Sequence, residues 1–179
     1  MMIRLINILT ISRILLAMVI FLLLSIGNNY FFALVLFFLA GISDYFDGYL
    51  ARRYDATSNL GEILDPIADK ILIVFVLFGL SVNLTSFYIA FMASLIITRE
   101  IWVGALRDFN ARKQKSKATK VIFLAKVKTT IQLFTISVYL LGLTLNKMLL
   151  ILFGDMFLFL SLLITIYTGY LYTYNSLKN

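Results

Sequence analysis

Six apolar stretches of about 20 residues follow one another along the chain, and they constrain its fold more than any other feature. An α-helix rises about 1.5 Å per residue, so about 20 residues cross the roughly 30 Å hydrocarbon core of a bilayer. The stretches cover residues 8–26, 30–50, 63–82, 86–106, 121–143 and 149–172. We therefore expect an all-α integral membrane protein with six transmembrane helices, forming a single membrane domain over residues 1–179.

The composition excludes several classes of protein and of site. Hydrophobic residues make up 61% of the chain and charged residues only 14%, against about 25% charged residues in a soluble domain. The chain has no histidine and no cysteine, which removes disulfides, thiolate nucleophiles and the usual zinc and haem ligands. Any chemistry must use carboxylates, hydroxyls, lysine or arginine. We expect a lipid bilayer, and no nucleic acid, among the partners.

The basic residues are distributed unevenly between the linkers, which indicates how the chain is oriented in the membrane. One set of linkers contains only Lys147, whereas the other linkers and the two ends contain most of the rest. These are Arg4, Arg52, Arg53, Arg107, Arg112, Lys113, Lys115, Lys117, Lys120, Lys126, Lys128 and Lys178. We expect both termini of a multi-pass cell-membrane protein to lie in the cytoplasm. Arg13 lies early in the first apolar stretch without a small-residue cleavage site after it, so we expect an uncleaved helix there.

Four aspartates lie in or beside the second and third apolar stretches. A charge at the centre of a membrane span costs about 2.5–3.5 kcal/mol, so these residues need a reason to be there. Asp44 and Asp47 are three residues apart, and Asp65 and Asp69 are four apart, so each pair lies on one face of a helix. Small residues beside them leave room for a bulky polar ligand. These are Gly48, Ala51 and Gly61.

The two aspartate-bearing helices are joined by a short linker, so we expect them to be antiparallel neighbours whose carboxylates meet near the cytoplasmic surface. Oxygen ligands without histidine or cysteine suit Mg²⁺ or Mn²⁺. Four carboxylates can hold two such ions about 3.5–4 Å apart, an arrangement that recurs in phosphoryl transfer. A proton relay and an ion pair with Lys70 or Arg52 are alternatives. Pro66 either kinks the third helix or marks its first turn.

Written out, the acidic stretch reads Asp44-x2-Asp47-Gly48-x2-Ala51-Arg52-x8-Gly61-x3-Asp65-x3-Asp69. It resembles the signature of the CDP-alcohol phosphotransferase family of integral membrane enzymes, with every signature position filled. The family has six transmembrane helices and usually forms homodimers, so the resemblance implies both features here. It also implies two divalent cations, Mg²⁺ or Mn²⁺, bound by the four aspartates. Asp69 would in addition be the catalytic base that takes the proton from the acceptor hydroxyl.

The same resemblance implies a CDP-binding role for small and polar residues. Gly48 would approach CDP through its backbone, and Arg52 would hold a phosphate through its guanidinium. Residues 7–13 resemble the family's Asn-x-x-Thr-x-x-Arg motif, although Ile6 replaces the proline that commonly precedes it. A plain alternative is that Asn7 or Thr10 caps the first helix. The implied CDP-binding residues are Asn7, Thr10, Gly48, Ala51, Arg52, Ser58 and Gly61.

Two further segments resemble the phosphatidylglycerophosphate synthases, one branch of the family. Residues 98–107 contain Arg-Glu followed by Gly-x-x-Arg, and residues 126–132 read Lys-x-Lys-Thr-x-x-Gln, with Ala125 in place of the usual glycine. The resemblance implies transfer of a phosphatidyl group from CDP-diacylglycerol to glycerol 3-phosphate, at a cytoplasmic active site, in phospholipid biosynthesis. Alternatives are another acceptor (inositol phosphate, serine or phosphatidylglycerol) or, from a different class, a divalent-cation transporter.

An anionic acceptor needs cations near the metal site. The candidates for its phosphate are Arg99, Arg107, Lys126 and Lys128. Arg99 lies next to Glu100, so a structural ion pair is the alternative there. The basic run at 112–120 indicates contacts with lipid headgroups rather than with substrate. Tyrosines near the end of the last helix are expected in an interfacial belt without a chemical role. These are Tyr167, Tyr170, Tyr172 and Tyr174.

Overall fold

The structure is a computed structural model that describes the backbone of residues 2–54, 59–112 and 123–178. Within those ranges it does not describe the side chains of residues 2–6, 47, 50–52, 54, 59–60, 62–63 and 123–126. The described ranges form six helices and no strand. They are α1 Met2–Ser25, α2 Tyr30–Tyr54, α3 Asn59–Asn83, α4 Phe87–Arg112, α5 Phe123–Thr144 and α6 Met148–Lys178. The all-α class expected from the apolar stretches is therefore confirmed.

Four of these helices are long and apolar enough to cross a membrane, by length and composition of the described residues. They contain the segments Asn7–Ser25, Phe87–Arg112, Val127–Thr144 and Met148–Lys178. Among the described residues, α2 contributes a shorter apolar segment, Tyr30–Phe46, which includes Asp44. Large side chains such as Phe31, Phe32 and Phe87 point outward from the bundle and are exposed. Because such a surface suits lipid rather than water, the chain is a multi-pass membrane protein.

Helix α3 extends beyond its apolar stretch at both ends. It begins at Asn59, so Pro66 lies inside the helix, which excludes the alternative that Pro66 marks the first turn. The helix also continues to Asn83, one residue past the apolar stretch 63–82. The polar groups there find partners: the Ser81 hydroxyl donates to a carbonyl of its own helix at 2.9 Å. Asn83 Nδ2 donates to the carbonyl of Leu24, also at 2.9 Å.

Three short turns join the helices in pairs and close one end of the bundle. Asn28, Thr85 and Asn146 adopt left-handed backbone conformations in these turns, with φ angles of 47°, 47° and 50°. Asn83 Nδ2 also donates to Oδ1 of Asn28 at 2.8 Å, which ties the α1–α2 turn to the end of α3. Thr144, at the end of α5, lines the same surface pocket as Asn28. The turns therefore lie together, at the end opposite to the aspartates.

Helix α1 is the central element of the first half of the bundle. It packs against both α2 and α3, and its Ala17, Ile20 and Leu24 side chains are fully buried. Gly79 of α3 lies so close to it that an added Cβ would be 3.1 Å from Cδ1 of Leu24. The absence of a side chain at Gly79 therefore allows α1 and α3 to approach each other closely.

The expectation that α2 and α3 are direct neighbours is wrong. In the described part of the chain no backbone contact joins these two helices, and each packs on α1 instead. The short linker restrains only one end of each helix, whereas α1 offers a face of small and aliphatic residues that both can cover. The aspartates of α2 and α3 therefore meet across α1 rather than across a shared interface.

The second half of the bundle is formed by α4, α5 and α6. Helix α6 packs against α4 and α5, and α4 and α5 both contact α3. Gly154 of α6 lies against the ring of Tyr139 of α5, where an added Cβ would be 2.7 Å from ring carbons. The Tyr139 hydroxyl donates to Oδ1 of Asp155 at 2.5 Å, and the Tyr88 hydroxyl donates to the Asp155 carbonyl at 3.1 Å. Asp155 thus links α4, α5 and α6.

Candidate active site

The aspartates of the motif lie on α2 and α3 in the helical spacing expected from the sequence. Asp44 and Asp47 belong to α2, and Asp65 and Asp69 belong to α3. The side chain of Asp47 lies outside the described residues. The side chains of Asp44 and Asp69 are 49% and 42% exposed. Their carboxylates can therefore be reached by a ligand.

Arg13 of α1 joins the two aspartate-bearing helices. Its side chain is fully buried, and its Nη1 atom lies 2.8 Å from Oδ1 of Asp44 and 2.6 Å from Oδ1 of Asp69. A guanidinium is permanently charged, so it offsets the repulsion between two carboxylates that would otherwise face each other. The ion pair in the structure is therefore made by Arg13, which the sequence had not suggested for this role.

Thr10 lies one turn before Arg13 and contacts the third aspartate. Its hydroxyl donates to Oδ1 of Asp65 at 2.8 Å, and its side chain is fully buried. Because α1 begins at Met2, both Asn7 and Thr10 lie inside the helix. The alternative that one of them caps α1 is therefore wrong. Thr10 belongs to the aspartate site instead.

The other residues implied in CDP binding are described only in part. Gly48 is half-buried on α2, one turn after Asp44, and Gly61 is buried on α3, one turn before Asp65. Both glycines thus lie on the faces that carry the aspartates, as the spacing predicts. Ser58 and the side chains of Ala51 and Arg52 lie outside the described residues.

The chemistry of the aspartate site suits a divalent cation. Carboxylate oxygens from two helices are hard donors of the kind that Mg²⁺ and Mn²⁺ prefer. Among the side chains that the structure describes, no three potential ligands are grouped closely enough to hold an ion. The fourth carboxylate of the motif, Asp47, is not among those side chains. Asp44 and Asp69 are instead bridged by Arg13.

A cavity of about 750 Å³ opens beside Asp69, between α3, α4, α5 and α6. Aliphatic residues such as Ile73 and Ile96 form part of its wall. Four cationic side chains also line it, namely Lys70, Arg99, Arg107 and Lys128. The structure therefore brings together one motif aspartate and three of the expected acceptor cations. The side chain of the fourth, Lys126, lies outside the described residues.

Arg107 is held against an aromatic side chain of α6. Its Nη2 atom donates to the hydroxyl of Tyr172 at 2.9 Å, and its guanidinium carbon lies 5.0 Å from the centroid of the same ring. Tyr172 is only 3% exposed, so the expectation that it belongs to an interfacial belt is wrong. By contrast, Tyr167, Tyr170 and Tyr174 are exposed.

Arg99 and Lys128 share one acidic partner. Arg99 Nη1 lies 2.9 Å from Oε1 of Glu100, and the Lys128 ammonium contacts the same oxygen. Arg99 Nη2 also donates to the hydroxyl of Thr168 at 2.7 Å. The ion pair considered for Arg99 is therefore present, and it places both cations on the cavity wall. Two positive charges against one negative charge leave this part of the wall cationic.

The sequence did not indicate the contacts that Arg13 makes with the aspartates or that Tyr172 makes with Arg107. An arginine in an apolar helix needs an acidic partner, and the aspartates of the motif were candidates for it. Thr168 of α6 is buried, and Tyr172 lies four residues after it. Helical spacing therefore places both on the inward face of α6. A helical-face argument could therefore have separated Tyr172 from its exposed neighbours.

Comparison with known proteins gives a consistent result. Residues 4–167 match the family model for CDP-alcohol phosphatidyltransferase. Three relatives share the name CDP-diacylglycerol–glycerol-3-phosphate 3-phosphatidyltransferase. The Rickettsia felis protein is 40% identical over 169 residues, covering 93% of this chain and 91% of that protein. The Rickettsia bellii protein is 41% identical over 139 residues (77% and 75%), and the Blochmanniella floridana protein is 38% identical over 141 residues (79% and 73%). The chain therefore belongs to the CDP-alcohol phosphatidyltransferase family.

Proposed function

We propose that this chain transfers the phosphatidyl group from CDP-diacylglycerol to sn-glycerol 3-phosphate, giving phosphatidylglycerophosphate and CMP in phospholipid biosynthesis. Relatives over most of the chain are named for this reaction. The observation that carries the proposal is the cavity whose wall contains both Asp69 and the cations Arg99 and Arg107. Glycerol 3-phosphate fits this arrangement, since its phosphate would lie at the cations and its hydroxyl toward the aspartate.

The donor side of the site is formed by α1, α2 and α3. We assign CDP binding to the residues that the motif implies, and the contact of Thr10 with Asp65 supports this for α1. The positions of Gly48 and Gly61 on the aspartate-bearing faces support it for the other two helices. The full set is Asn7, Thr10, Gly48, Ala51, Arg52, Ser58 and Gly61. The acyl chains of the donor would then remain in the bilayer.

Enzymes of this family generally depend on divalent cations. We propose that Asp44, Asp47, Asp65 and Asp69 hold two ions, Mg²⁺ or Mn²⁺, and the oxygen chemistry of the described aspartates supports this. When bound, the ions would neutralise charge on the diphosphate and on the departing CMP. Asp69 would take the proton from the 1-hydroxyl of glycerol 3-phosphate. The hydroxyl oxygen would bond to the β-phosphorus while the bond from that phosphorus to the CMP oxygen breaks.

We further propose that residues 1–179 form one membrane domain with six spans and cytoplasmic termini. Helices α2 and α3 are each 25 residues long, which supports a span for both. The pairing of Asp44 and Asp69 with Arg13 lowers the cost of placing these charges in a membrane. Arg53 and Arg112 lie at the aspartate end, which supports a cytoplasmic active site on the cell membrane. A homodimer stays a prediction from the family resemblance.

An acceptor panel tests the proposed reaction. Purified protein in detergent micelles with CDP-diacylglycerol and Mg²⁺ should release CMP when glycerol 3-phosphate is added. Inositol phosphate, serine and phosphatidylglycerol should not replace it. Release with another acceptor only would assign the chain to a different branch of the family. Failure of every acceptor, together with Mg²⁺ uptake into vesicles that contain the protein, would favour a cation transporter instead.

A further inference from the structure

Tyr172 lies beneath the two arginines of the acceptor cavity, although the proposed reaction does not use it directly. It lines the cavity from α6, and its hydroxyl accepts a hydrogen bond from Arg107 Nη2 at 2.9 Å. The guanidinium carbons of Arg107 and Arg99 lie 5.0 Å and 6.0 Å from its ring centroid. One aromatic ring thus contacts both of the arginines that we assign to the acceptor phosphate.

A guanidinium binds phosphate well only when its plane is turned correctly. Arginine has a long side chain with many rotamers, and holding one of them costs conformational entropy on binding. The cation–π contact with the Tyr172 ring restricts the position of the Arg107 guanidinium, and the hydroxyl occupies one of its five N–H donors. The donors that are left can then face the cavity before the substrate arrives.

One N–H donor of each arginine is buried without a hydrogen-bond partner among the described residues. In the part of the chain that the structure describes, the Nε atoms of Arg99 and Arg107 are buried and make no hydrogen bond. The side chain of Arg99 is only 9% exposed. A buried donor without a partner costs free energy, so the two arginines are held in place at some energetic cost.

The same face of α6 also makes room for Arg99. A Cβ at Gly169 would lie 3.0 Å from Cγ and 3.1 Å from Nε of Arg99. The Arg99 side chain therefore occupies space that any larger residue at position 169 would need. Thr168, next along the helix, accepts a hydrogen bond from Arg99 Nη2 at 2.7 Å. Helix α6 therefore supplies one hydroxyl to each arginine, from Thr168 and from Tyr172.

We propose that Tyr172 is a positioning residue that orients Arg107, and through the shared ring Arg99, toward the phosphate of the acceptor. The inference rests on the proposed function, because that function places the acceptor phosphate in this cavity. Tyr172 would therefore determine how tightly an anionic acceptor is held, and it would not affect the CDP-linked donor on the other side of Asp69.

Tyr172→Phe and Tyr172→Leu in the full chain test this proposal. Loss of the hydroxyl should raise the KM for glycerol 3-phosphate about fivefold, and loss of the ring should raise it about fivefold further. The KM for CDP-diacylglycerol and kcat should stay within about twofold of the wild-type values, because the motif aspartates are untouched. Tyr170→Phe and Tyr170→Leu are the matched controls, since Tyr170 is on the same helix but 65% exposed.

The double variant with Arg107→Ala and Tyr172→Phe gives a second readout. If Tyr172 acts through Arg107, the double variant should be no worse toward glycerol 3-phosphate than Arg107→Ala alone. Additive effects, or equal rises in both KM values, would overturn the positioning role. An unchanged acceptor KM in Tyr172→Phe would also overturn it, provided that Arg107→Ala raises that KM. If Arg107→Ala leaves it unchanged as well, the acceptor site of the proposed function is itself wrong.

Discussion

The Nη1 atom of Arg13 lies 2.6 Å from Oδ1 of Asp69, so the aspartate that we propose as the base is hydrogen-bonded to a fully buried cation. The same nitrogen lies 2.8 Å from Asp44 on another helix. One guanidinium thus sets the relative position of carboxylates on two helices whose backbones are not in contact in the described part of the chain. The geometry of the aspartate site therefore depends on α1 as much as on α2 and α3.

We predict that Arg13→Met destabilises the protein and lowers its activity. Breaking a buried ion pair costs about 3–5 kcal/mol. The two aspartates are 42–49% exposed, so water screens their charges. The free energy of unfolding should therefore fall by only about 1–3 kcal/mol. CMP release should fall about tenfold or more as the carboxylates move apart. Thermal unfolding and CMP release at several Mg²⁺ concentrations measure both effects. Arg112→Met, at the exposed end of α4, is the control; a wild-type Tm and rate in Arg13→Met would refute the prediction.

Asp69→Asn should abolish turnover while leaving the protein folded. The amide can still accept a hydrogen bond from Arg13, but it cannot take a proton from the acceptor hydroxyl, so the rate should fall about 100-fold or more. CMP release with saturating substrates measures the rate, and thermal unfolding shows whether the fold is intact. Asp155→Asn, a distant carboxylate that accepts from Tyr139, should keep near-normal activity. Wild-type turnover in Asp69→Asn would remove Asp69 from the role of base.

Arg107→Ala should impair the acceptor rather than the donor. Hydrogen bonds to a charged group contribute about 1.5–3 kcal/mol, so the KM for glycerol 3-phosphate should rise about tenfold or more. The KM for CDP-diacylglycerol should change little, because Arg107 lines the cavity on the α4–α6 side of Asp69. Steady-state kinetics with each substrate varied in turn measure both values, with Arg112→Ala as the control. A rise in the lipid KM alone would contradict the acceptor assignment.

Removal of divalent cations should stop the reaction reversibly. Carboxylates that bind Mg²⁺ or Mn²⁺ lose those ions to a chelator such as EDTA, and the charge on the diphosphate is then unopposed. Adding back Mg²⁺ or Mn²⁺ should restore CMP release and raise the Tm, since an ion that binds only the folded state stabilises it. Full turnover by chelator-treated protein would show that the aspartates do not act through metal ions.

Gly154→Ala should destabilise the bundle, whereas Gly41→Ala should not. A Cβ at Gly154 would lie 2.7 Å from the ring of Tyr139, whereas a Cβ at Gly41 would meet nothing within 4 Å. Overpacking of this kind costs about 1–3 kcal/mol, while alanine for an unhindered helical glycine gains up to about 1 kcal/mol. Thermal unfolding of both variants in the same detergent measures the difference. Equal Tm values would show that α5 and α6 can move apart at no cost.

The helices and the aspartate faces could be predicted because both depend on local properties of the chain. Hydropathy over about 20 residues located each helix to within a few residues at its apolar end. Asp65 and Asp69 are four residues apart, so helical spacing predicted that they share one face of a helix. Both lie in the continuous helix α3, as that prediction requires. The helix ends near the aspartates were harder to predict, because α3 begins several residues before its apolar stretch and includes Pro66.

Contacts between helices could not be predicted in the same way. Whether α2 packs on α3 or on α1 depends on which faces fit, and the length of the linker does not decide this. Tyr170 and Tyr172 illustrate the same limit within one helix. They are two residues apart and hence point about 200° apart around α6, so one is exposed and the other is buried beside Arg107. Helical spacing separates the two faces, and the packing of α4 on α6 determines which of them is buried.

The three tight turns have a consequence for how a bulky lipid can reach the aspartates. Short turns join three pairs of helices at the end that contains Asn28, Thr85 and Asn146. A hydrogen bond from Asn83 to Asn28 links two of those turns. We therefore expect any separation of the paired helices to occur at the opposite end, where the carboxylates lie. We accordingly expect a lipid substrate to enter between the helices at the aspartate end, while the turns keep the other end closed and preserve the permeability barrier of the membrane.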